Sequence, residues 1–224
     1  MKTRLRIIAA AVILLTMGLI IFLQQTGIVS ADDITVTIAG PAGPTNVSPI
    51  PLTITFNADV TEFELADIDV VNGTAGNLAG EDDTYTVDIT PDVEEGLVTV
   101  DIGANVVAEG NAAAETYSIY FDSVAPTVTI TSTSTDPTGN SLIPITLTFS
   151  EAITGLTITE ISDALQNGEI TYYVAGSDVV SMVVQASGFG EVELTLPADI
   201  YVDLAGNLNG ASETFSLPIL TNPG

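Results

Sequence analysis

Two stretches of this chain, a little over ninety residues apart, carry the same sequence pattern. IPLTITF at residues 50–56 recurs as IPITLTF at residues 143–149, and TVTI at residues 35–38 recurs unchanged at residues 127–130. A repeat of this period gives units that are large enough to fold as separate domains. The predicted parts are a leader (residues 1–31), domain 1 (residues 32–122), domain 2 (residues 123–218) and a tail (residues 219–224).

Apolar and polar residues alternate within each unit. In an extended chain Leu52, Ile54 and Phe56 point to one side, and the intervening threonines point to the other. The predicted inward residues of the other segments are Tyr85, Val87, Ile89, Val98, Val100, Ile102, Ile145, Leu147, Phe149, Val192, Leu194 and Leu196. About seven short strands per unit, separated by Gly, Asn, Asp and Pro, predict an all-β fold of two antiparallel β-sandwiches. Helix is expected only as single turns near residues 64–67 and 159–164.

The stretches PITLTFSEAITG at residues 144–155 and DLAGN at residues 203–207 resemble those of a bacterial Ig-like domain, the kind repeated in secreted and surface adhesins. Domain 1 departs from this pattern, because Ala58-Asp59 replaces Glu-Ala and Glu109-Gly110-Asn111 replaces the longer turn. The resemblance implies two tandem Ig-like β-sandwiches that serve as spacers or adhesion modules. It does not identify an adhesion partner.

Residues 1–31 have the layout of an export signal. Three basic residues within the first six positions precede an apolar run at residues 7–23, and Val29 and Ala31 are small residues suited to cleavage after Ala31. The competing interpretation is an uncleaved anchor helix, because the apolar run just reaches bilayer-spanning length. Membrane contact is expected only through residues 7–23, if they are retained. Both interpretations place the acidic part outside the cytoplasm, as a secreted or cell-surface protein.

From residue 32 onward the chain contains 29 Asp and Glu residues and no Lys, Arg or His. Nucleic-acid binding is not expected, because it relies on basic side chains that neutralise phosphates. The chain has no Cys, which excludes disulfides and thiolate metal sites. Without His or Lys there is no imidazole base and no Schiff base in the exported part. The chain is therefore predicted not to be an enzyme and to have no catalytic residues.

Oxygen-bearing side chains in two places suggest a metal site. Asp203, Asn207 and Asn209 surround Gly206, which can adopt the conformation of a tight turn, and calcium is bound by six to eight oxygen ligands. Asp122 lies at the linker between the units, and ion-stiffened linkers are a property of the adhesins that the sequence resembles. Calcium is thus the candidate cofactor and divalent cations the candidate partners. Two alternatives remain: an ordinary Asp/Asn/Gly turn, or an acidic surface adapted to high salt.

The sequence favours a non-catalytic surface or secreted repeat protein, which acts as a structural spacer or adhesion module and is stabilised by calcium or by salt. The alternative is a module that binds a carbohydrate or a protein through loops at the ends of the sandwiches. In either case the extracellular ligand is unspecified.

Overall fold

The computed structural model describes residues 34–220. The predicted signal or anchor helix at residues 1–31 and the last four residues of the tail lie outside this range. Within it, no helix is both long and apolar enough to cross a bilayer. The described chain forms two β-sandwiches, each with its own hydrophobic core. Both cores lie within residues 34–220, so a fragment of residues 32–224 would retain both of them.

Domain 1 contains seven strands and one short 3₁₀ helix. Its elements are β1 (Val36–Ala39), β2 (Ile50–Phe56), the 3₁₀ helix (Leu65–Asp67), β3 (Ile68–Val71), β4 (Gly73–Glu81), β5 (Thr84–Pro91), β6 (Glu95–Ile102) and β7 (Tyr117–Asp122). One antiparallel sheet has the order β1-β2-β5-β4, and the other has the order β3-β6-β7. This division of seven strands into four and three is that of a constant-type immunoglobulin domain.

Domain 2 repeats this arrangement with additional short elements. Its elements are β8 (Val128–Ser132), β9 (Leu142–Phe149), β10 (Ile153–Thr154), α1 (Ile158–Ala164), β11 (Leu165–Gln166), β12 (Gly168–Ala175), β13 (Val179–Ala186), β14 (Gly190–Leu194), β15 (Val202–Asp203) and β16 (Phe215–Ile219). The two large sheets have the orders β12-β13-β9-β8 and β11-β14-β16, and β10 pairs with β15. Because β16 ends at Ile219, this residue belongs to the sandwich and not to the tail.

The chain after the first strand of each domain crosses from one sheet to the other. Thr45 forms a parallel bridge with Phe121 on β7, and Thr138 forms the equivalent bridge with Ile219 on β16. The backbone of Thr45 also exchanges hydrogen bonds with Tyr120 and Asp122, each of 3.0 Å. This crossing brings the segment around residue 45 to the end of β7, where domain 1 meets domain 2.

The predicted inward residues are all buried. Ile54, Ile89, Val100, Leu147 and Leu194 are fully inaccessible to solvent, and the other predicted inward residues are at most 8% exposed. Burial of each such side chain contributes about 1.5–3 kcal/mol to folding, so the alternation accounts for both cores.

One helix is longer than the sequence prediction allowed. Residues 158–164 form α1, about two turns in length, where a single turn at most was expected. A capping box explains the difference, since the Thr157 hydroxyl accepts from the Glu160 backbone N–H and the Glu160 carboxylate accepts from that of Thr157. The side chain of Ile161 is fully buried against the core and anchors the helix.

Candidate metal centre at the domain junction

Three carboxylates from distant parts of the sequence meet where the two domains join. Asp122 is the last residue of β7, Glu151 follows β9, and Asp203 is the last residue of β15. Asp203 pairs with Ile153 on β10, two residues after Glu151. Ligand oxygens of the three side chains all lie within 4.8 Å of one another. We call these residues the junction cluster. Asp122 is 6% exposed and Asp203 is 2% exposed, so two of the three carboxylates are removed from bulk water.

The loop after β15 holds the carboxylate of Asp203 in a fixed position. The Asp203 Oδ1 atom accepts backbone N–H bonds from Gly206 (2.7 Å) and Asn207 (2.9 Å). The amide of Asn207 also donates to Asp203 Oδ2, at 2.7 Å. Gly206 has a φ of +97°, a value that glycine adopts without strain. The predicted Asp/Asn/Gly turn is therefore formed, and it presents Asp203 to the other members of the junction cluster.

Asn207 also connects the two domains. Its Nδ2 donates to the backbone oxygen of Asp122 at 2.9 Å, and its Oδ1 accepts from Asn46 Nδ2 at 3.1 Å. On the domain 1 side, the backbone N–H of Val124 donates to Asp122 Oδ1 at 2.8 Å, which orients the linker. Of the four predicted ligands, the structure thus brings Asp122, Asp203 and Asn207 into one place.

The electrostatic potential at the junction cluster is strongly negative. No Lys, Arg or His occurs in the described part of the chain, so no basic side chain there compensates the three carboxylates. The pKa of Glu151 is raised above its ordinary value, first because the carboxyl group is partly desolvated and then because Asp122, Asp203 and Glu95 oppose its ionisation. A cation bound among these oxygens would remove that repulsion.

The junction cluster borders a crevice of about 190 Å³ between the domains. Its walls are Pro44, Glu95, Tyr120, Asp122, Glu151, Ala152, Leu204 and Ala205. The hydroxyl group of Tyr120 donates to Glu95 Oε1 at 2.7 Å, which holds a fourth carboxylate at the rim. The crevice has room for an ion and several waters, and oxygen atoms line its acidic side.

The fourth predicted ligand, Asn209, has a different environment. Its Oδ1 accepts from the backbone N–H groups of Ile200 and Tyr201, both at 2.9 Å, and its Nδ2 donates to the carbonyls of Pro197 (2.8 Å) and Gly210 (2.7 Å). The side chain is buried at 2% exposure, so its polar atoms are committed to the loop that it spans. In domain 1, Asn111 makes the same kind of contacts, with Val106, Gly103 and Ala112. The repeated arrangement indicates that this asparagine shapes the loop in both domains.

Domain 1 lacks the equivalent of the turn at residues 203–207. Its shorter turn contains Glu109, whose carboxylate accepts from the backbone N–H (2.9 Å) and the hydroxyl group (2.8 Å) of Thr61. Both bonds lower the pKa of Glu109, and the bond from the Thr61 backbone has the larger effect. Among the described residues, the end of domain 1 that faces away from domain 2 therefore lacks a loop like the one that places Asp203 in domain 2.

Glu151 and Asn46 are site residues that were not predicted from the sequence. Glu151 lies within the stretch SEAITG that carries the family resemblance, and its position just after a strand could have singled it out. Asn46 is separated from its partner Asn207 by 161 residues, and only the packing of the two domains brings them together.

Next to the site, the buried hydroxyl group of Tyr201 has no hydrogen-bond partner among the described residues. Burial raises the pKa of Tyr201 to about 12, and its ring packs edge-on against Phe149 at 5.2 Å. We expect Tyr201→Phe to leave stability unchanged or to increase it by up to about 1 kcal/mol, because a desolvated hydroxyl group is removed while the ring contact stays. Urea unfolding followed by circular dichroism measures the effect.

The matched control is Tyr117→Phe, since the Tyr117 hydroxyl donates to the Pro41 carbonyl at 2.7 Å. This variant should lose about 1 kcal/mol. An equal loss in the two variants would show that the Tyr201 hydroxyl group does have a partner.

Comparison with known proteins finds a matching family model and several solved structures that resemble the chain. The family model for the bacterial Ig-like domain matches twice, at residues 28–120 and 122–219. Similar solved structures include the Escherichia coli adhesin FdeC (13% identity, 86% of this chain and 65% of that chain, TM-score 0.49). Invasin, a bacterial integrin-binding protein, is 15% identical, and the match covers 83% of this chain and 40% of that chain, with a TM-score of 0.45. The Yersinia pseudotuberculosis adhesin InvE is 12% identical, and the match covers 86% of this chain and 60% of that chain, with a TM-score of 0.31.

The chain spans 65% of the FdeC structure and 40% of the invasin structure. No curated protein sequence gives a significant match. The two matches to the family model together cover nearly all of the described residues, one for each sandwich. The chain therefore belongs to the bacterial Ig-like domain family, of which it contains two tandem copies.

Proposed function

We propose that this chain is a non-catalytic, exported spacer of the adhesin type, in which calcium bound at the junction cluster fixes the two Ig-like domains relative to each other. The observation that carries the proposal is the meeting of Asp122 from domain 1 with Glu151 and Asp203 from domain 2 within 4.8 Å. An ion held there would bind both domains at once. Its binding energy would then oppose bending at the linker.

The donor set suits calcium. Calcium prefers oxygen ligands, takes six to eight of them and accepts irregular geometry, whereas zinc favours nitrogen and sulfur donors. Asp122, Glu151 and Asp203 would hold the ion, with waters in the crevice completing its coordination. Asn207 would support the site by orienting Asp203 and by bonding to the Asp122 carbonyl. Asn209 is left out of this set because its amide is used within its own loop.

The bound ion would supply charge neutralisation and a crosslink. Three carboxylates carry up to three negative charges, and a divalent cation offsets two of them. Without the ion, the raised pKa of Glu151 shows that the folded state opposes full ionisation of the cluster. The acidic exported part would thus be most rigid outside the cell, where calcium is abundant.

Thermal unfolding of the mature chain at low ionic strength tests this proposal. Calcium at about 100 times its dissociation constant should add about 2.7 kcal/mol of stability. For a chain of this size, that gain raises the Tm by roughly 5–10 °C relative to EDTA. Sodium chloride at matched ionic strength should give a smaller increase, because it only screens the carboxylates. An equal increase with sodium chloride would refute a specific ion site and favour a salt-adapted surface.

A further inference from the structure

The linker between the two domains is anchored at both of its ends. On the domain 1 side, the backbone N–H of Ser123 donates to the Glu94 carbonyl at 2.8 Å. On the domain 2 side, the backbone N–H of Thr127 donates to the Ser150 hydroxyl, and the Ser150 N–H donates back to the Thr127 carbonyl, both at 2.9 Å. Only residues 124–126 separate these two anchored points, so the linker is short.

The backbone of these three residues is also restricted. The Val124 N–H donates to Asp122 Oδ1 at 2.8 Å, which ties the start of the segment to the end of β7. Pro126 is buried, and its ring fixes its φ angle. Ala125 precedes this proline and is therefore limited to extended conformations. The linker thus allows few relative orientations of the two domains.

A pair of asparagine side chains joins the domains beside the linker. The Nδ2 atom of Asn207 uses both of its hydrogens, one for the Asp122 carbonyl (2.9 Å) and one for Asp203 Oδ2 (2.7 Å). Its Oδ1 atom accepts from Asn46 Nδ2 at 3.1 Å. The Asn46 amide lies against the turn, since a Cβ atom at Gly206 would be 3.6 Å from Asn46 Nδ2. We call Asn46 and Asn207 the junction latch.

The backbone around Asn46 is fixed to domain 1. Its neighbour Thr45 is 8% exposed and forms two backbone hydrogen bonds with β7. The backbone N–H of Val47 donates to the Thr45 hydroxyl at 3.2 Å. A change in domain orientation must therefore break the bond between Asn46 and Asn207, because Asn46 cannot follow domain 2.

Each half of the junction latch occurs only at the end of the domain that faces the other domain. The segment that crosses between the sheets carries Asn46 in domain 1 and Gly139 at the equivalent position of domain 2, since the preceding threonines form equivalent bridges. The turn at residues 203–207, which supplies Asn207, has no equivalent in domain 1. The two repeats thus differ at the positions where they touch, which indicates a contact specific to this junction.

We propose that the junction latch and the anchored linker hold the two domains in one orientation before any ion binds. The junction cluster is then a preformed site, and calcium stiffens the junction without reorienting it. The statement about orientation stands without calcium, whereas the statement about the preformed site rests on the proposed function.

Distances between spin labels in residues 32–224 test this proposal. The chain has no cysteine, so Thr55→Cys and Thr148→Cys place one label on an exposed position of each domain. Pulsed electron paramagnetic resonance in EDTA should give one narrow distance distribution, with a mean that saturating calcium leaves unchanged. Adding Asn46→Ala should increase the fraction of molecules outside the main peak at least about threefold in EDTA, because one of the two latch bonds between the domains is lost. Calcium should narrow the distribution again, since Asn46 is not one of the proposed ligands.

Two further variants separate the hydrogen bond from the shape of the side chain. Asn46→Asp keeps the size of the side chain, but its carboxylate cannot donate to Asn207 Oδ1, so it should broaden the distribution at least as much as alanine does. Gln185→Ala is the matched control, because the Gln185 Nε2 atom donates to the Ala186 carbonyl at 3.3 Å within domain 2. This control should leave the distribution unchanged.

The results that would overturn the latch differ from those that would refute the calcium site. A distribution that is broad in EDTA and narrows only in calcium would overturn the latch and leave the calcium site standing. A distribution that Asn46→Ala and Asn46→Asp do not broaden would also overturn it, and so would a mean distance that shifts in calcium. Calcium without any effect on the Tm would refute the proposed function alone, and a narrow distribution in EDTA that Asn46→Ala broadens would still support the latch.

Discussion

Replacement of Asn209 by alanine should destabilise domain 2 by about 3–4 kcal/mol, whether or not calcium is present. The side chain bonds to four backbone groups in the loop between β14 and β16, and one of these bonds is buried and three are part-buried. Alanine can replace none of these bonds, and the loop leaves little room for water because Asn209 is 2% exposed. Urea unfolding followed by circular dichroism, in EDTA and again in saturating calcium, measures the loss.

Asn111→Ala is the matched variant in domain 1. Its side chain makes three equivalent bonds, so a loss of similar size is expected there. The two variants together separate a structural role from metal ligation. If Asn209→Ala lowered stability only in calcium, and Asn111→Ala did so in both conditions, Asn209 would be an ion ligand as the sequence first suggested.

The fold was predictable because its main signal is local. The alternation around Leu52, Ile54 and Phe56 has the period of a strand, and its recurrence in domain 2 separates two units of the same design. The sandwich architecture follows from the number and spacing of such strands, and the resemblance to bacterial Ig-like domains agrees with it, whereas the strand order was not predicted. The underestimated helix α1 also had a local signal, since Thr157 and Glu160 have the spacing of a capping box.

The candidate site was only partly predictable, because its residues are far apart in the sequence. Asp122 and Asp203 were named for separate reasons, and nothing in either local pattern shows that they meet. Glu151 completes the cluster only because the end of β9 lies beside β15 in the folded domain. Asn209 bonds to its own loop in the structure. An oxygen-rich turn looks the same in sequence whether its side chains bind an ion or their own backbone.

Replacement of Glu151 by glutamine should have opposite effects with and without calcium. The folded-state pKa of Glu151 is raised, so its favourable contribution is present below the unfolded pKa and is lost as the pH rises through the folded pKa. At pH 7 in EDTA the ionised carboxylate therefore destabilises the folded chain, and Glu151→Gln should raise the Tm. In calcium the same variant lacks a charged ligand, and its calcium affinity should fall at least about tenfold. Thermal unfolding against pH and calcium titration calorimetry measure both effects.

The pH dependence and a control variant make this prediction specific to the junction. In EDTA, the Tm of the wild-type chain and of Glu151→Gln should converge as the pH falls below the folded pKa, because the side chain at position 151 is then uncharged in both proteins. Glu169→Gln removes an exposed carboxylate on β12, which pairs with Gln185 on β13 level with the start of β9 and thus lies about one strand length from the cluster. This variant should leave calcium affinity unchanged. A lower Tm for Glu151→Gln in EDTA would mean that its carboxylate stabilises the junction without an ion. The cluster would then be a polar contact between domains, and calcium would have no dedicated place in it.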